Sequence, residues 1–263
     1  MDIDWQYWLH YWFMFPVATV IAIVANSSGF SGGVLFQPIY NLGLNIPIAN
    51  SVATGIATET VGMTSGAIRY MMYKMVELPI GFTMIMLAIP GIVVGNHILM
   101  IINANLLKLL LGFVILYLAS VQLFSAAKQR FGHRKNVPIE DIYRFMWVPP
   151  LAGLFSATTG SGLCEMSQPM LEKGMKVQTK RANATAILVE AVGDWAITIL
   201  NLHAGFIMPE ILIFTGPGVI IGAQIGAKVS KYLPERLMKI VFSVAVASVA
   251  IFYIYSGILW LFK

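Results

Sequence analysis

The sequence predicts an all-α membrane protein built from two inverted repeats. Each repeat is a glycine-interrupted, re-entrant or broken helix pair followed by three spanning helices. Three observations predict it: a composition too apolar for a soluble chain, two apolar stretches broken by glycine and serine, and a self-match at an offset of 131 residues. Of 263 residues, 58% are hydrophobic and only 11% are charged, whereas globular chains carry about a quarter charged residues. A soluble domain of this size has too much surface to cover with so few charges, and a disordered chain needs the opposite balance. The formal net charge of +5 does not point to nucleic acid. The basic residues form short clusters between apolar runs, as in Lys128, Arg130, Arg134 and Lys135, which is how the cytoplasmic loops of membrane proteins are composed. The lone Cys164 can make no internal disulfide. Met1 to Trp5 holds two aspartates and no basic residue, so no cleavable signal peptide is expected.

A membrane helix needs roughly 20 mostly apolar residues. The first apolar stretch, Val17 to Ala25, runs into a glycine and serine cluster at 27–33 and resumes as Val34 to Leu44. Asn50 to Met72 is apolar but flecked with small and polar residues, and Val76 to Ile102 and Leu106 to Ala127 are clear spans. The order then repeats. Trp147 to Ala157 breaks at 158–162 and resumes as Leu163 to Met175; Arg181 to His203 is flecked; Phe206 to Ala227 and Leu237 to Phe262 are clear. Glycine and serine at this density end helices. Pro149 and Pro150 leave the second broken arm about a dozen residues, too few to cross ~30 Å of hydrocarbon. A plain eight-helix count is the alternative reading.

At the 131-residue offset, Ser28–Gly62 aligns with Thr159–Gly193, and ten of the 35 pairs are identical, about four times chance for such a composition. Gly29 meets Gly160, Gln37-Pro38 meets Gln168-Pro169, Ala53-Thr54 meets Ala184-Thr185, and Glu59 meets Glu190. Further on, Pro90-Gly91 with Gly95 resembles Pro217-Gly218 with Gly222. The predicted organisation is a first repeat over 1–131, with its hairpin tip near 27–33, and a second over 132–263, with its tip near 158–164. A basic cytoplasmic linker near 128–144 joins them. Putting Arg69–Lys74, Lys128–Arg144, Lys173–Arg181 and Lys228–Lys239 on the cytoplasmic side makes Asn50–Met72 run inward and Arg181–His203 run outward. The halves are then inverted, because three spans and a hairpin make an odd number of crossings.

Inverted repeats with discontinuous helices at the midplane are the construction of secondary transporters. The half-helix N-termini near Ser31–Gly33 and Ser161–Leu163 would leave N–H groups free for a small anion. Gly29-Phe30-Ser31-Gly32-Gly33, then Pro38, then Ala53-Thr54, resembles the glycine-rich G-x-G-G-G…P…A-T signature of the sulfite exporter TauE/SafE family. The second half echoes it with Gly160, Pro169 and Ala184-Thr185. Ser31 stands where the family has a glycine, and Gly160-Ser161-Gly162-Leu163-Cys164 replaces a glycine triplet. The resemblance implies a multi-pass protein of the bacterial inner membrane that moves sulfite, thiosulfate or a sulfonate, and is not an enzyme.

The expected substrate-binding residues are Ser28, Gly29, Ser31, Gly32, Gly33, Gln37 and Thr54 in the first half. In the second they are Thr159, Gly160, Ser161, Gly162, Gln168 and Thr185. Glu59, Glu190 and Asp194 are the expected proton-coupling groups, because an ionisable residue inside the membrane is functional by default. Protonated carboxyls bonding between helices, or an Asp194 solvated near the outer interface, are the plainer readings. Gln37 and Gln168 equally suit the carbonyls freed by their prolines. Arg69, Lys180 and Arg181 read as snorkelling helix-end residues, Trp5, Tyr7, Trp8, Tyr11 and Trp12 as an interfacial belt. No cofactor or metal is expected: His10, His97 and His203 lack ligand spacing, and the methionines show no regular pattern. Expected partners are the anion, protons and the lipid bilayer, and no nucleic acid. Two other functions fit parts of the sequence: an intramembrane serine protease using Ser31 and His203, and a passive anion channel.

Overall fold

The computed structural model of the chain describes residues 10–127, 138–230, 232 and 234–261. These are helical, with no strand among the described residues. Trp5, Tyr7 and Trp8 of the expected aromatic belt, and the basic cluster Lys128, Arg130, Arg134 and Lys135 with most of the expected linker, lie outside them.

The first half opens with α1 (Met14–Ser28), which stops at Gly29, and continues after the break as α2 (Gly33–Pro38) and a π-helical turn, Ile39–Gly43. Three long helices follow: α3 (Ile48–Met72), α4 (Leu78–Ile101) and α5 (Ala104–Ala127). A 3-10 turn, Ile139–Phe145, leads to α6 (Val148–Thr159), which stops at Gly160, and then α7 (Leu163–Pro169) with its own π turn, Met170–Gly174. The chain closes with α8 (Thr179–His203), α9 (Pro209–Val229) and α10 (Glu235–Leu261). The predicted spans and breaks fall within a few residues of these bounds.

Local chemistry accounts for the breaks. Gly29 and Gly160 take the left-handed conformation, with φ of 75° and 69°, where an L side chain is strained. Each N–H closes its helix, Gly29 onto the Ala25 carbonyl and Gly160 onto Ser156 at 2.7 Å. The π turns start directly after Pro38 and Pro169, where the missing proline N–H and the ring disrupt the regular ladder. The offset of 131 residues holds for both glycines, for both π turns, for the two ends of α3 and α8, and for the left-handed Asn45 and Lys176.

The packing is exchanged between the halves. α1 packs against α9, α6 against α4, α5 against α10, and α3 against α8. The close approach of α6 to α4 rests on Gly91, whose missing Cβ leaves room for the Pro150 carbonyl; Gly218 does the same for Phe15 on α1. Small residues at helix contacts are what allow such approach in a membrane. The surface is inverted relative to a soluble protein. Large apolar side chains such as Met86, Val93, Phe113, Ile220 and Ile251 are exposed, and many serines, threonines and glutamates are buried beside the apolar core.

Three helices, α4, α8 and α9, are long and apolar enough to cross a membrane by length and composition among the described residues. The chain is thus a multi-pass helical membrane protein. α6, at 12 residues, reaches only ~18 Å at 1.5 Å per residue and does not cross alone.

Candidate functional site at the helix breaks

The two breaks lie against each other inside the bundle. Ser31 Oγ is 2.8 Å from the Gly160 carbonyl, and Gln37 Nε2 donates to the Thr159 carbonyl at 2.6 Å. The Gln37 amide thus crosses to the other half rather than serving the carbonyl freed by Pro38.

Carboxylates converge on this point from three helices. Glu59 of α3 accepts the N–H groups of Gly32 and Gly33 at 2.6 and 2.8 Å, with Ser31 Oγ at 2.6 Å. Glu190 of α8 accepts the N–H of Cys164, and Ser156 Oγ at 3.3 Å. Gly33 and Cys164 are related by the 131-residue offset, as are Glu59 and Glu190, so one contact is built twice. Glu165, in the first turn of α7, accepts Ser31 N at 2.8 Å and Gly162 N at 2.9 Å, and so ties the breaks together. Asp194, one turn beyond Glu190, is 1% exposed and neither of its oxygens has a hydrogen-bond partner. It is buried in the cluster, not solvated at an interface. None of the four carboxylates has a basic partner among the described residues.

The N–H groups expected to stand free for an anion are therefore occupied by the chain's own carboxylates. The reason is physical: a buried N–H without an acceptor costs about 1–3 kcal/mol. Glu165 was missing from the expected site. Its signal was present in the sequence as a glutamate three residues after Gly162, the spacing by which a helix's third residue caps its own start. Its counterpart at the offset is Val34.

The other expected residues divide into two groups. Gly29, Ser31, Gly32, Gly33, Gln37, Thr159, Gly160, Ser161 and Gly162 are gathered at the breaks, whereas Thr54 and Thr185 are engaged elsewhere. Thr54 Oγ1 accepts Met208 N at 3.1 Å and Thr185 Oγ1 accepts Glu77 N at 2.9 Å, so each fixes the residue before a following helix, α9 or α4. Ser28 Oγ donates back to the Val24 carbonyl at 2.6 Å. Gln168 Nε2 donates to Glu172 at 2.9 Å. Arg181 is paired, not merely snorkelling: its Nε is 2.6 Å from Glu77, and Nη1 reaches the Lys74 carbonyl at 3.0 Å.

Single carboxylate oxygens of Glu59, Glu190 and Asp194 lie within 4.8 Å of one another, a spacing that can hold a positive charge. Ser31 has no histidine: its hydroxyl faces Glu59 and Gly160, while His203 is exposed at the far end of α8.

Polar helix breaks buried inside an all-helical membrane bundle are a construction that membrane transporters use. The chain matches the model of the sulfite exporter TauE/SafE family over residues 14–253, and it belongs to that family, whose members are transporters and not enzymes. No curated protein and no solved structure matches the chain.

Proposed function

We propose that the protein is a secondary transporter of a small sulfur-containing anion (sulfite, thiosulfate or a sulfonate) across the bacterial inner membrane. The anion binds at the meeting point of the two breaks, and protons taken up by Glu59, Glu190 and Asp194 accompany it. The observation that carries this reading is the duplicated contact of Glu59 with Gly33 and of Glu190 with Cys164, side by side with Ser31 and Gly160.

The chemistry follows from charge balance. The donors around the breaks, among them the N–H groups of Ser31, Gly32, Gly33, Gly162 and Cys164 and the Ser31 hydroxyl, form a set suited to an oxyanion. In the structure described, carboxylates fill that set. An oxyanion replaces a carboxylate there only if positive charge enters too, since adding a further anion among four buried carboxylates is strongly unfavourable. Protons on the displaced carboxylates supply that charge, and proton and anion movement become coupled. On this reading repeats 1–131 and 132–263 are inverted, and two equivalent arms of opposite direction rock about one site in alternating access.

The test is a thermal-shift screen of the full chain in detergent against sulfite, thiosulfate, sulfoacetate, sulfate and carboxylate controls. Selective binding at about 100 times Kd stabilises by about 2.7 kcal/mol. The reading predicts stabilisation by one sulfur oxyanion at least. Equal response to all salts, carboxylates included, contradicts it.

A further inference from the structure

The N–H groups of the breaks do not account for every carboxylate beside them. Glu59 and Glu190, related by the 131-residue offset, hold the starts of α2 and α7. Asp194 holds nothing: it is buried, and both its oxygens are without a hydrogen-bond partner. It also departs from the repeat, since its counterpart at the offset is Met63, which is buried too. An apolar side chain fills the equivalent place in the other half, so packing does not call for a carboxylate there. Burying a charge without a partner is costly, and a ligand of opposite charge removes that cost.

The geometry suits a cation. Glu190 and Asp194, four residues apart, share one face of α8, and Glu59 meets them from α3. With one oxygen of each inside 4.8 Å of the others, an ion between them makes bonds of about 2.3–2.6 Å, the calcium–oxygen distance. A donor set of carboxylate oxygen alone selects hard cations over soft transition metals. A second observation, on another helix, points the same way. A cavity with room for about one water lies between α1, α3 and α9, and both Glu59 and Asn26 line it. Asn26 Nδ2 donates to the Ala22 carbonyl at 3.2 Å, while its Oδ1 is buried without a partner. Gly66 makes the room for that oxygen, which a Cβ would overlap. An amide oxygen only accepts, so beside a carboxylate it suits a cation and not an anion.

We propose that Glu59, Glu190 and Asp194 bind one hard metal cation, Na+ or Ca2+, with the Asn26 oxygen on its approach from α1 and α9. The role of the ion rests on the transporter reading above. Positive charge is needed there when an oxyanion displaces a carboxylate, and the cation supplies it alongside protons. Carboxylate oxygens that turn to the cation release the N–H groups of Gly32, Gly33 and Cys164. Cation loading therefore opens the donor set to the anion, and by linkage the anion tightens the cation equally.

The experiment titrates NaCl and CaCl2 by calorimetry into the purified full chain in detergent, in choline chloride at fixed pH, with anion flux measured in parallel on reconstituted protein. Asp194→Asn keeps the shape of the side chain, and Asp194→Met borrows the other half's residue. The expected result is saturable binding of Na+ or Ca2+ to the wild type, at least about tenfold weaker in Asp194→Asn and lost in Asp194→Met. If Asp194→Met does not fold, Asp194→Asn alone decides. Lack of saturable binding of both cations to the wild type overturns the site, and so does wild-type affinity in Asp194→Asn. A wild type that binds a cation through Asp194 but carries no anion flux supports the site and removes the transporter reading. A wild type that carries anion flux and binds neither cation does the reverse.

Discussion

At the residue scale, three carboxylates do what a bound anion would otherwise do. Glu59 and Glu190 hold the starts of α2 and α7, and Glu165 bridges the breaks through Ser31 N and Gly162 N. Glu165→Ala leaves two buried N–H groups without acceptors, at about 1–3 kcal/mol each, and is expected to lower the unfolding midpoint in detergent well below that of Glu165→Gln, which keeps an acceptor oxygen. Equal midpoints for the two variants contradict the bridging role. Gly160→Ala places a Cβ at a φ of 69°, against the Gln37 amide. The conformation alone costs about 1–2 kcal/mol, and a clear fall in thermal stability is expected. The glycines and paired glutamates were legible in the sequence, since breaking residues and intramembrane charges stand out in apolar runs. Glu165 was less so, because nothing local says that its carboxylate crosses to Ser31 of the other half. Thr54 and Thr185 were legible as polar, but their partners Met208 and Glu77 lie more than 100 residues away.

At the element scale, the helices follow hydropathy and the breaks follow glycine, so their bounds were readable. The pairing of elements was not. Which helix packs against which depends on long-range contacts, here α6 on α4 and α1 on α9. The Pro-Gly motifs of α4 and α9 carried a trace of it: Gly91 and Gly218 are where a carbonyl of α6 or α1 comes closest. Gly91→Leu forces α6 away from α4 and shifts the second break against the first. Insertion of bulk at a tight contact costs about 1–3 kcal/mol. The expected readout is lower stability together with loss of anion-induced stabilisation. Retention of both contradicts the close packing. The π turns after Pro38 and Pro169 went unread, because a proline in a helix signals disruption without saying which form it takes.

At the scale of the molecule, the exchanged packing means that each half is completed by the other, and the candidate site lies where they meet. The inverted reading makes a topological prediction. In a Cys164→Ser background, single cysteines at Met72 and Lys173 should react with a membrane-impermeant reagent from one side, and those at Asn103 and Ala204 from the other. Met72 ends α3 and Ala204 follows α8, so labelling of these two from the same face contradicts inversion. The central claim, anion transport coupled to protons at the breaks, is tested most directly by radiolabelled thiosulfate and sulfite flux in proteoliposomes under an imposed pH gradient. The account predicts saturable flux of at least one of these anions that responds to the gradient in the wild type, and loss of that response in Glu59→Gln and Glu190→Gln. Wild-type flux indifferent to the gradient, or flux in both variants that still follows it, would contradict the account.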